Sequence, residues 1–392
     1  MKEVYIVSMA RTPIGSFGSK LAGFTAPKLG SHAIKGALKR AKIKGEQVNE
    51  VFFGNVVSSN VGQAPARQAS LGAGIPNTTP CTTLNKVCSS GMKSIMIGAQ
   101  SIMTGMNDVV VAGGMESMSN IPYYLDKARF GYKFGGGKLI DGLERDGLSD
   151  AYDHSAMGIS SDLTASKLEI SRQEQDSYAI QSYKRSAEAT EKGYLANEIV
   201  PIEIPQRKGD PVVMEEDEEF RRVKFEKVPN LRPAFSKDGT ATAANSSTIN
   251  DGAAAVVLMS KEKMEELGLK PIARIAGMAD TAQEPKWFTT TPPSAAKAAI
   301  KRAGLTTGDI DYFEINEAFA LVAIAFIKAL KLDVSKVNVF GGAVSLGHPI
   351  GVSGTRITMT LANVLNVKKG RYGCAAICNG GGGASSIVIE KV

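Results

Sequence analysis

Short apolar runs alternate with longer amphipathic segments along most of the chain. An apolar run begins almost at once at Val4-Tyr5-Ile6-Val7, and another spans residues 108–114. Between such runs lie alanine-rich segments with the period of an amphipathic helix. Strands that alternate with helices are typical of βαβ units, which form mostly parallel sheets covered by helices on both faces. The pattern therefore predicts an α/β protein.

The pattern occurs twice. A predicted helix ending at Lys39-Arg40-Ala41 precedes a predicted strand over residues 49–55, and a helix ending at Lys301-Arg302-Ala303 precedes a strand over 310–316. Cys88 follows Asn55 by 33 residues, and His348 follows Asn316 by 32. Each copy ends with an apolar strand that enters glycines, at residues 108–114 and 375–381. We therefore expect two duplicated halves with cysteine and histidine loops in equivalent places.

A long connection over residues 119–248 interrupts this rhythm. It contains three consecutive glycines at 135–137, a predicted helix over residues 172–192 and a charged stretch. Long insertions in α/β enzymes are usually functional. The predicted division is an N-terminal half of residues 1–118 plus 249–270, an inserted domain of 119–248 and a C-terminal half of 271–392.

The composition is that of a globular protein. With 392 residues, 43% hydrophobic and 22% charged, the chain exceeds what one core of about 250–300 residues holds. Its four cysteines lack the spacing of a zinc site and are too few for a disulfide framework, which favours reduced thiols in the cytoplasm. No apolar run reaches the length of a membrane span, and we expect no leader peptide and no peroxisomal signal.

The chain carries a net charge of +7 with an isoelectric point near 9.0. Basic residues crowd over positions 207–237, where the acidic run at 215–219 interrupts them. Such mixed signs fit a surface that binds a small phosphorylated ligand better than they fit a nucleic-acid face. We expect no nucleic-acid partner and no membrane partner.

The first candidate reactive group is Cys88, in Leu84-Asn85-Lys86-Val87-Cys88-Ser89-Ser90-Gly91. A free thiol has a pKa of about 8.5, so a nucleophilic cysteine needs a base or a helix N-terminus beside it. The predicted helix over residues 92–103 begins just after Cys88, which we expect to lower its pKa. A buried structural cysteine is the alternative, and nearby Cys81 illustrates it.

Two further loops carry candidate chemistry. His348 stands between glycines in residues 338–351, and Cys378 opens the run Cys378-Asn379-Gly380-Gly381. So many glycines suggest that backbone approaches a ligand, although a core histidine satisfied by backbone is the alternative. The N–H groups after Cys378 suit an oxyanion hole. Asn316, at a predicted strand-to-helix turn, is either a site residue or a helix N-cap. Because ligands of open α/β sheets bind at the carboxyl ends of strands, we expect these side chains to meet there.

Together these motifs resemble the thiolase family along essentially the whole chain. The family's signatures correspond to residues 84–91, 338–354 and 375–383, with Asn316-Glu317-Ala318-Phe319 as a fourth segment. The resemblance implies the five-layer thiolase fold, in which two βαβ-rich halves carry a loop domain, here residues 119–248, that binds coenzyme A. It also implies a homotetramer built from dimers.

The nearest resemblance is to the short-chain members that act as acetyl-CoA C-acetyltransferases. It implies that two acetyl-CoA molecules condense reversibly to acetoacetyl-CoA and coenzyme A through an acetyl-cysteine. Cys88 is then the nucleophile, His348 accepts its proton, and Cys378 moves the proton of the second substrate. His348 and a water held by Asn316 form one oxyanion hole, and the N–H groups of Cys88 and Gly380 form the other.

The resemblance also carries over ligand contacts. Coenzyme A would contact Tyr183, Arg222, Lys227 and Ser247, and no cofactor is obligatory. An optional K⁺ would be held by Tyr183, Ala243, Ala244, Ser246 and Val344. The sequence departs from the family where many members carry a histidine just before Met157-Gly158, because Ala156 stands there and His154 lies two residues earlier. Phe288-Thr289 lies where the family varies with acyl size.

Two other functions remain open at this stage. A thiolase of fatty-acid degradation with a broader acyl range would use the same chemistry, and thiolysis of longer 3-ketoacyl-CoA substrates would reveal it. A silent acyl-CoA carrier with the same fold would not need Cys88, Asn316, His348 and Cys378 together. Ketosynthases share the fold but use one cysteine and two histidines, so Cys378 excludes them.

Overall fold

A computed structural model describes all 392 residues. The strands are β1 Val4–Arg11, β2 Gly15–Ser16, β3 Glu50–Gly54, β4 Cys81–Leu84, β5 Val109–Ser117, β6 Tyr123–Tyr124, β7 Ile140–Asp141, β8 Ile202–Ile204, β9 Val212–Met214, β10 Asn250–Ser260, β11 Ala273–Ala282, β12 Tyr312–Ile315, β13 Tyr372–Asn379 and β14 Gly383–Lys391. Ten of them form one sheet in the order β12-β13-β14-β11-β1-β10-β5-β3-β4, with β2 beside β10.

The two halves of this sheet share one pairing pattern, except that β4 has no counterpart among the named strands of the second half. In the first, β3 pairs parallel with β4 and β5, and β10 pairs antiparallel with β5 and β1. In the second, β12 pairs parallel with β13, and β14 pairs antiparallel with β13 and β11. A short antiparallel contact between β1 and β11 joins the halves. The predicted duplication is confirmed.

The prediction of mostly parallel sheets is wrong. Only the pairs β3–β4, β3–β5 and β12–β13 are parallel among the named strands. In each half, a long strand lies antiparallel between its neighbours: β10 returns after the insertion, and β14 returns directly from β13 through the glycine turn. A strand-like run in the sequence does not show which strands it will pair with, or whether it will run parallel or antiparallel to them.

The helices are α1 Ala26–Ala41, α2 Pro65–Gly72, α3 Ser90–Met103, α4 Met157–Lys167, α5 Arg172–Glu191, α6 Lys261–Glu266, α7 Pro292–Arg302, α8 Ala320–Leu330, α9 Ala343–Leu346 and α10 Ser353–Lys368. Helices α1 and α2 cover the outer face of the first half, and α7 and α8 cover that of the second. Helices α3 and α10 contact each other between the halves. The order α-β-α-β-α gives the predicted five layers.

Buried polar groups fasten residues 119–248 to the halves. Arg11 donates to Glu198 at 2.9 Å and to both carboxylate oxygens of Asp217 at 2.7 and 2.9 Å. Glu317 accepts from Tyr178 and Ser182 of α5, each at 2.8 Å. Because a buried charge is costly without partners, these contacts fix α5 and the charged stretch over the main sheet. No helix is both long enough and apolar enough to cross a membrane.

Candidate active site

The loop that contains Cys88 joins β4 to α3. Its residue Val87 has φ +48°, a left-handed conformation that is costly for a β-branched residue. Two hydrogen bonds hold the loop in this shape, from Val87 N–H to Asn85 Oδ1 at 2.9 Å and from Lys86 N–H to Ser90 Oγ at 2.8 Å. Cys88 follows this turn and precedes the first turn of α3.

The Cys88 thiol is half-buried, and its environment differs from the sequence expectation. Burial raises its pKa to about 11, with a smaller contribution of the same sign from the charge of Glu116. The backbone N–H groups of Gly380 and of Cys88 itself lower the pKa but do not offset burial. The expected lowering by the helix N-terminus is therefore wrong for the resting enzyme. A base must take the proton when the thiol reacts.

Cys378 lies near the end of β13 and is fully buried. Desolvation raises the pKa of its thiol, and the neighbouring Cys88 raises it further, so Cys378 is a neutral thiol at rest. The two cysteine loops are tied by Ser89 Oγ, which donates to Asn379 Oδ1 at 3.0 Å. The structure thus brings both predicted cysteines, and the Gly380 N–H group, to one point.

His348 and Asn316 complete the cluster. The Asn316 side-chain amide lies 3.4 Å from His348 Nε2, and His348 Nδ1 lies 2.5 Å from Ser353 Oγ. Burial and the charge of Arg356 lower the pKa of His348 to about 3, so the imidazole is neutral at rest. Asn316 Oδ1 is buried and has no protein partner. Phe319, not Asn316, is the N-cap residue of α8, which leaves the Asn316 side chain to the site.

Buried groups shape the histidine loop from behind. His348 N–H donates to Asn250 Oδ1 at 2.9 Å. Gly347 has φ +103°, and a Cβ there would lie 2.4 Å from Asn250 Cγ, so only glycine lets the loop approach β10 this closely. Glu116 of β5 accepts from Gly351 N–H at 2.9 Å and from Val56 N–H at 3.0 Å. The histidine loop belongs to the second half, whereas Asn250 and Glu116 belong to the first, so both halves position the imidazole.

Three of the four predicted coenzyme A contacts line one cleft of about 260 Å³ on the inserted segment. Its walls include Tyr183, Arg222 and Lys227. Arg222 lies 3.9 Å from Glu219 and is otherwise unpaired, and Lys227 makes no ion pair, so both exposed cations are free to meet phosphates. Ser247 lies next to this wall, and its hydroxyl donates to Ala318 O. The cleft's lining includes its neighbour Thr248 instead.

The candidate K⁺ ligands lie partly in the same cleft. Tyr183, Ala243 and Ala244 line it, whereas Ser246 and Val344 do not. The carbonyl oxygens of Ala243, Ala244 and Ser246 accept no backbone hydrogen bond, and Ser246 Oγ is buried without a partner. Such free oxygen atoms are the ligands that a hard cation takes. The free oxygen atoms of these residues are therefore suitable ligands for K⁺.

His154 does not take the place of the missing family histidine. It is exposed, with φ +60°, and lines a separate surface pocket with Glu144 and Arg145. Met157 lies beside the site instead, since a Cβ on Gly380 would lie 3.6 Å from its methyl carbon and 3.5 Å from Val87 Cγ1. Phe288 is buried in the same apolar cluster as Cys378.

Several site residues were not predicted from the sequence. They are the partners of the reactive groups: Ser89, Glu116, Asn250, Ser353 and Asn379. Ser89 and Asn379 stand next to the two cysteines and could have been suspected on that ground. Glu116 and Asn250 lie far along the chain from the groups they hold, and no sequence signal joins them.

The comparisons with known proteins agree with this geometry. Residues 4–262 match the family "Thiolase, N-terminal domain" and residues 269–391 match "Thiolase, C-terminal domain". The chain belongs to the thiolase family. A cytosolic acetyl-CoA acetyltransferase of Gibberella zeae is 54% identical over 393 residues, covering 100% of this chain and 99% of the relative. A mitochondrial acetyl-CoA acetyltransferase of Rattus norvegicus is 56% identical over 393 residues, covering 100% of this chain and 92% of the relative.

A solved structure supports the fold. The Acat5 thiolase from Ascaris suum, in complex with coenzyme A, matches with a TM-score of 0.95 at 47% identity over 100% of both chains. The predicted thiolase fold is confirmed, and its sheet is mixed with helices covering it.

Proposed function

We propose that the chain is an acetyl-CoA C-acetyltransferase that joins two acetyl-CoA molecules to acetoacetyl-CoA and coenzyme A, and also runs the reverse thiolysis. The observation that carries the proposal is a set of two adjacent pairs, the thiols of Cys88 and Cys378 and the neutral imidazole of His348 with the carboxamide of Asn316. Glu116 links the two pairs, because its charge acts on Cys88 and its carboxylate accepts from Gly351 N–H of the histidine loop. The full-length similarity to acetyl-CoA acetyltransferases supports the substrate.

In the first half-reaction, Cys88 attacks the thioester carbon of acetyl-CoA. Its proton passes to Nε2 of neutral His348, a carbon–sulfur bond forms to Cys88, and the bond to coenzyme A breaks. The departing thiolate takes the proton of Cys378 and leaves as the free thiol. The N–H groups of Cys88 and Gly380 face the reacting sulfur, where they stabilise charge on the thioester oxygen.

In the second half-reaction, the Cys378 thiolate takes a proton from the methyl group of another acetyl-CoA. Burial makes this thiolate a strong base, which a weak carbon acid requires. The enolate attacks the acetyl group on Cys88, a carbon–carbon bond forms, and the released Cys88 thiolate recovers its proton from His348. The protonated Nε2 of His348 and a water held by Asn316 are the proposed donors to the enolate oxygen, and losing one such donor typically costs about 10²–10³ in rate.

A K⁺ ion, when bound, would add positive charge beside the coenzyme A cleft and order its wall. Ala243, Ala244 and Ser246 supply the free oxygen atoms for it, with Tyr183 and Val344 as the other candidates. Activity should be higher in potassium than in sodium buffer of equal ionic strength. Equal kcat and KM in both buffers would refute this part of the proposal.

The acyl site is proposed to be short. Val87 and Met157 flank Gly380, and Phe288 belongs to the same buried apolar cluster as Cys378, which favours a small acyl group. The test is thiolysis of 3-ketoacyl-CoA substrates of increasing length, with and without a 2-methyl group. A sharp maximum of kcat/KM at acetoacetyl-CoA supports the proposal. Equal rates for long chains would assign the enzyme to fatty-acid degradation, and no thiolysis at all would leave only an acyl-CoA carrier.

The proposed assembly is a homotetramer built from two dimers. Six apolar side chains are exposed within the segment around β6 and β7, namely Tyr123, Leu125, Phe130, Tyr132, Phe134 and Leu139. Exposed apolar patches of this kind mark protein interfaces. A second copy of the chain is the proposed partner.

The proposed compartment is the cytoplasm, since all four cysteines are free. Similar proteins occur in both the cytosol and mitochondria, so localisation of the tagged native chain is the deciding experiment. The division into two halves and a loop domain of residues 119–248 is likewise a proposal. Limited proteolysis that releases the halves without cutting inside them would support it.

A further inference from the structure

The first turn of α10 lies directly behind the imidazole of His348. Ser353, the first residue of α10, has its hydroxyl 2.5 Å from Nδ1 and 3.2 Å from the carbonyl oxygen of Pro349. On the other side of the ring, the amide nitrogen of Asn316 lies 3.4 Å from Nε2. No carboxylate is among these partners of the ring.

These contacts define the position of the imidazole proton. When Ser353 Oγ donates its only proton to Pro349 O, the same oxygen can only accept at its contact with Nδ1, which then carries the ring proton. The amide of Asn316 has only protons to offer Nε2, so Nε2 presents its lone pair. Both bonds therefore favour the tautomer in which Nδ1 carries the proton and Nε2 is free to accept one.

A buried charge lies one turn further along α10. Arg356 is three residues after Ser353, 1% exposed, and makes no hydrogen bond with any of its three nitrogen atoms. Its nearest carboxylate is Glu314 of β12 at 3.8 Å, which also makes no hydrogen bond. A guanidinium stays protonated even when it is buried, so its charge acts on the imidazole without compensation by close hydrogen-bond partners.

We propose that Ser353 and Arg356 are positioning residues that set the protonation state of His348 before substrate binds: Ser353 keeps one proton on Nδ1, and Arg356 keeps a second proton off Nε2. The inference rests on the proposed function, because only a reaction that passes a proton to Nε2 needs this arrangement. The N-terminal end of α10 adds partial positive charge of the same sign.

The other ionisable groups around the ring do little to oppose the effect of Arg356 on the protonation of His348. Cys88 and Cys378 are neutral at rest because burial raises the pKa of each thiol. Burial also raises the pKa of Glu314 well above its usual range, which weakens its compensation of Arg356. Glu116 of β5 is occupied by four N–H donors, among them Asn55 and Gly351.

The test is solid-state NMR of enzyme labelled with ¹⁵N-histidine, because the chain has only three histidines. Replacing His32 and His154 in turn assigns the signals, and these two distant residues serve as internal references. In the unmodified enzyme, His348 should be neutral with its proton on Nδ1. Ser353→Ala should populate the Nε2–H tautomer and slow acetylation of Cys88 about tenfold at unchanged KM, whereas Ser353→Thr retains the hydroxyl and should restore both.

Charge removal is tested separately. Arg356→Met should make His348 take up a proton at higher pH, and Arg356→Lys should not. Since Arg356→Met leaves a carboxyl group without its partner, the double variant Glu314→Gln/Arg356→Met should show the same shift in a better-packed protein. Glu314→Gln alone is the matched control and should leave the titration of His348 unchanged.

The results separate the inference from the proposed function. A proton on Nε2 in the unmodified enzyme, or a titration that is the same in all Arg356 variants, would overturn the inference. Since NMR needs no turnover, the expected spectra together with no acetylation by acetyl-CoA would reject the proposed function and leave the role of α10 in place.

Discussion

At the residue scale, the reactive thiol is held back rather than activated in the resting enzyme. Its loop carries the strained Val87, and its sulfur lies at the start of α3, which are the features expected of a nucleophile. Burial nevertheless raises the pKa of Cys88 to about 11. In the proposed mechanism, activation therefore depends on transfer of the proton to His348 when substrate binds.

The raised pKa of Cys88 predicts how the alkylation of its thiol depends on pH. Because the pKa of Cys88 is raised, the thiolate fraction in the free enzyme increases about tenfold per pH unit from pH 7 to 10. The rate of modification by iodoacetamide, measured by mass spectrometry, should increase in the same way without a plateau. Cys88→Ala supplies the background from Cys81, the other partly exposed cysteine.

A plateau below pH 8 would contradict the prediction. It would mean that the helix N-terminus and the imidazole already stabilise a thiolate in the free enzyme.

The sequence indicates the candidate reactive residues but not their electrostatics. Cys88, His348 and Cys378 stand in short glycine-containing motifs, which make them candidates. Whether a thiol is desolvated, or meets a charge such as that of Glu116, depends on distant parts of the chain, and local sequence does not contain that information. The same reason kept Ser353 from notice, since its role exists only where α10 passes behind the ring.

At the element scale, the two central helices are the scaffold of the site. Helix α3 begins two residues after Cys88, and α10 begins five residues after His348. Because α3 and α10 also contact each other, the two reactive loops are fixed relative to one another. Helices and strands were predicted well because their hydrophobic period is local. The antiparallel entry of β10 and β14 was not predicted, since it depends on pairing between distant segments.

The segment between β9 and β10 that carries Arg222 and Lys227 should bind the phosphates of coenzyme A. Replacing both residues by alanine should raise KM for acetoacetyl-CoA about tenfold or more, because charge-assisted contacts to phosphate are lost. A pantetheine thioester lacks those phosphates, so its kinetics should change little. Steady-state thiolysis of both substrates is the measurement.

Arg221→Ala is the control for this variant, since Arg221 is exposed like Arg222 but pairs with Glu216 at 2.8 Å. An equal increase in KM for the pantetheine thioester and for acetoacetyl-CoA would contradict the proposal that Arg222 and Lys227 bind the phosphates.

At the scale of the whole molecule, the proposed active site draws residues from both copies of the duplicated fold. The first half supplies Cys88, and the second supplies Asn316, His348 and Cys378. The β1–β11 contact and the α3–α10 layer hold the copies together. The duplication was visible in the sequence because the spacing of strands and reactive loops recurs. The surfaces that would join one chain to another were not visible, because exposed and buried apolar residues look alike in sequence.

The exposed segment around β6 and β7 should mediate assembly. Changing Phe130 and Phe134 together to serine should convert tetramers to dimers, because the apolar area that a second dimer would cover is lost. Light scattering coupled to size-exclusion chromatography measures the mass. Phe17→Ser, an exposed phenylalanine outside this segment, is the control. An unchanged mass for the double variant would exclude this segment as the interface.

The central claim is that the two cysteines perform different steps, and intact-protein mass spectrometry after brief exposure to acetyl-CoA tests it most directly. The Cys378→Ala variant should gain about 42 Da, one acetyl group on Cys88, and fail in condensation and thiolysis. The Cys88→Ala variant should gain nothing, since no other group is placed to form the thioester. An adduct on Cys88→Ala but not on Cys378→Ala would reverse the roles, and full turnover by either variant would contradict the account.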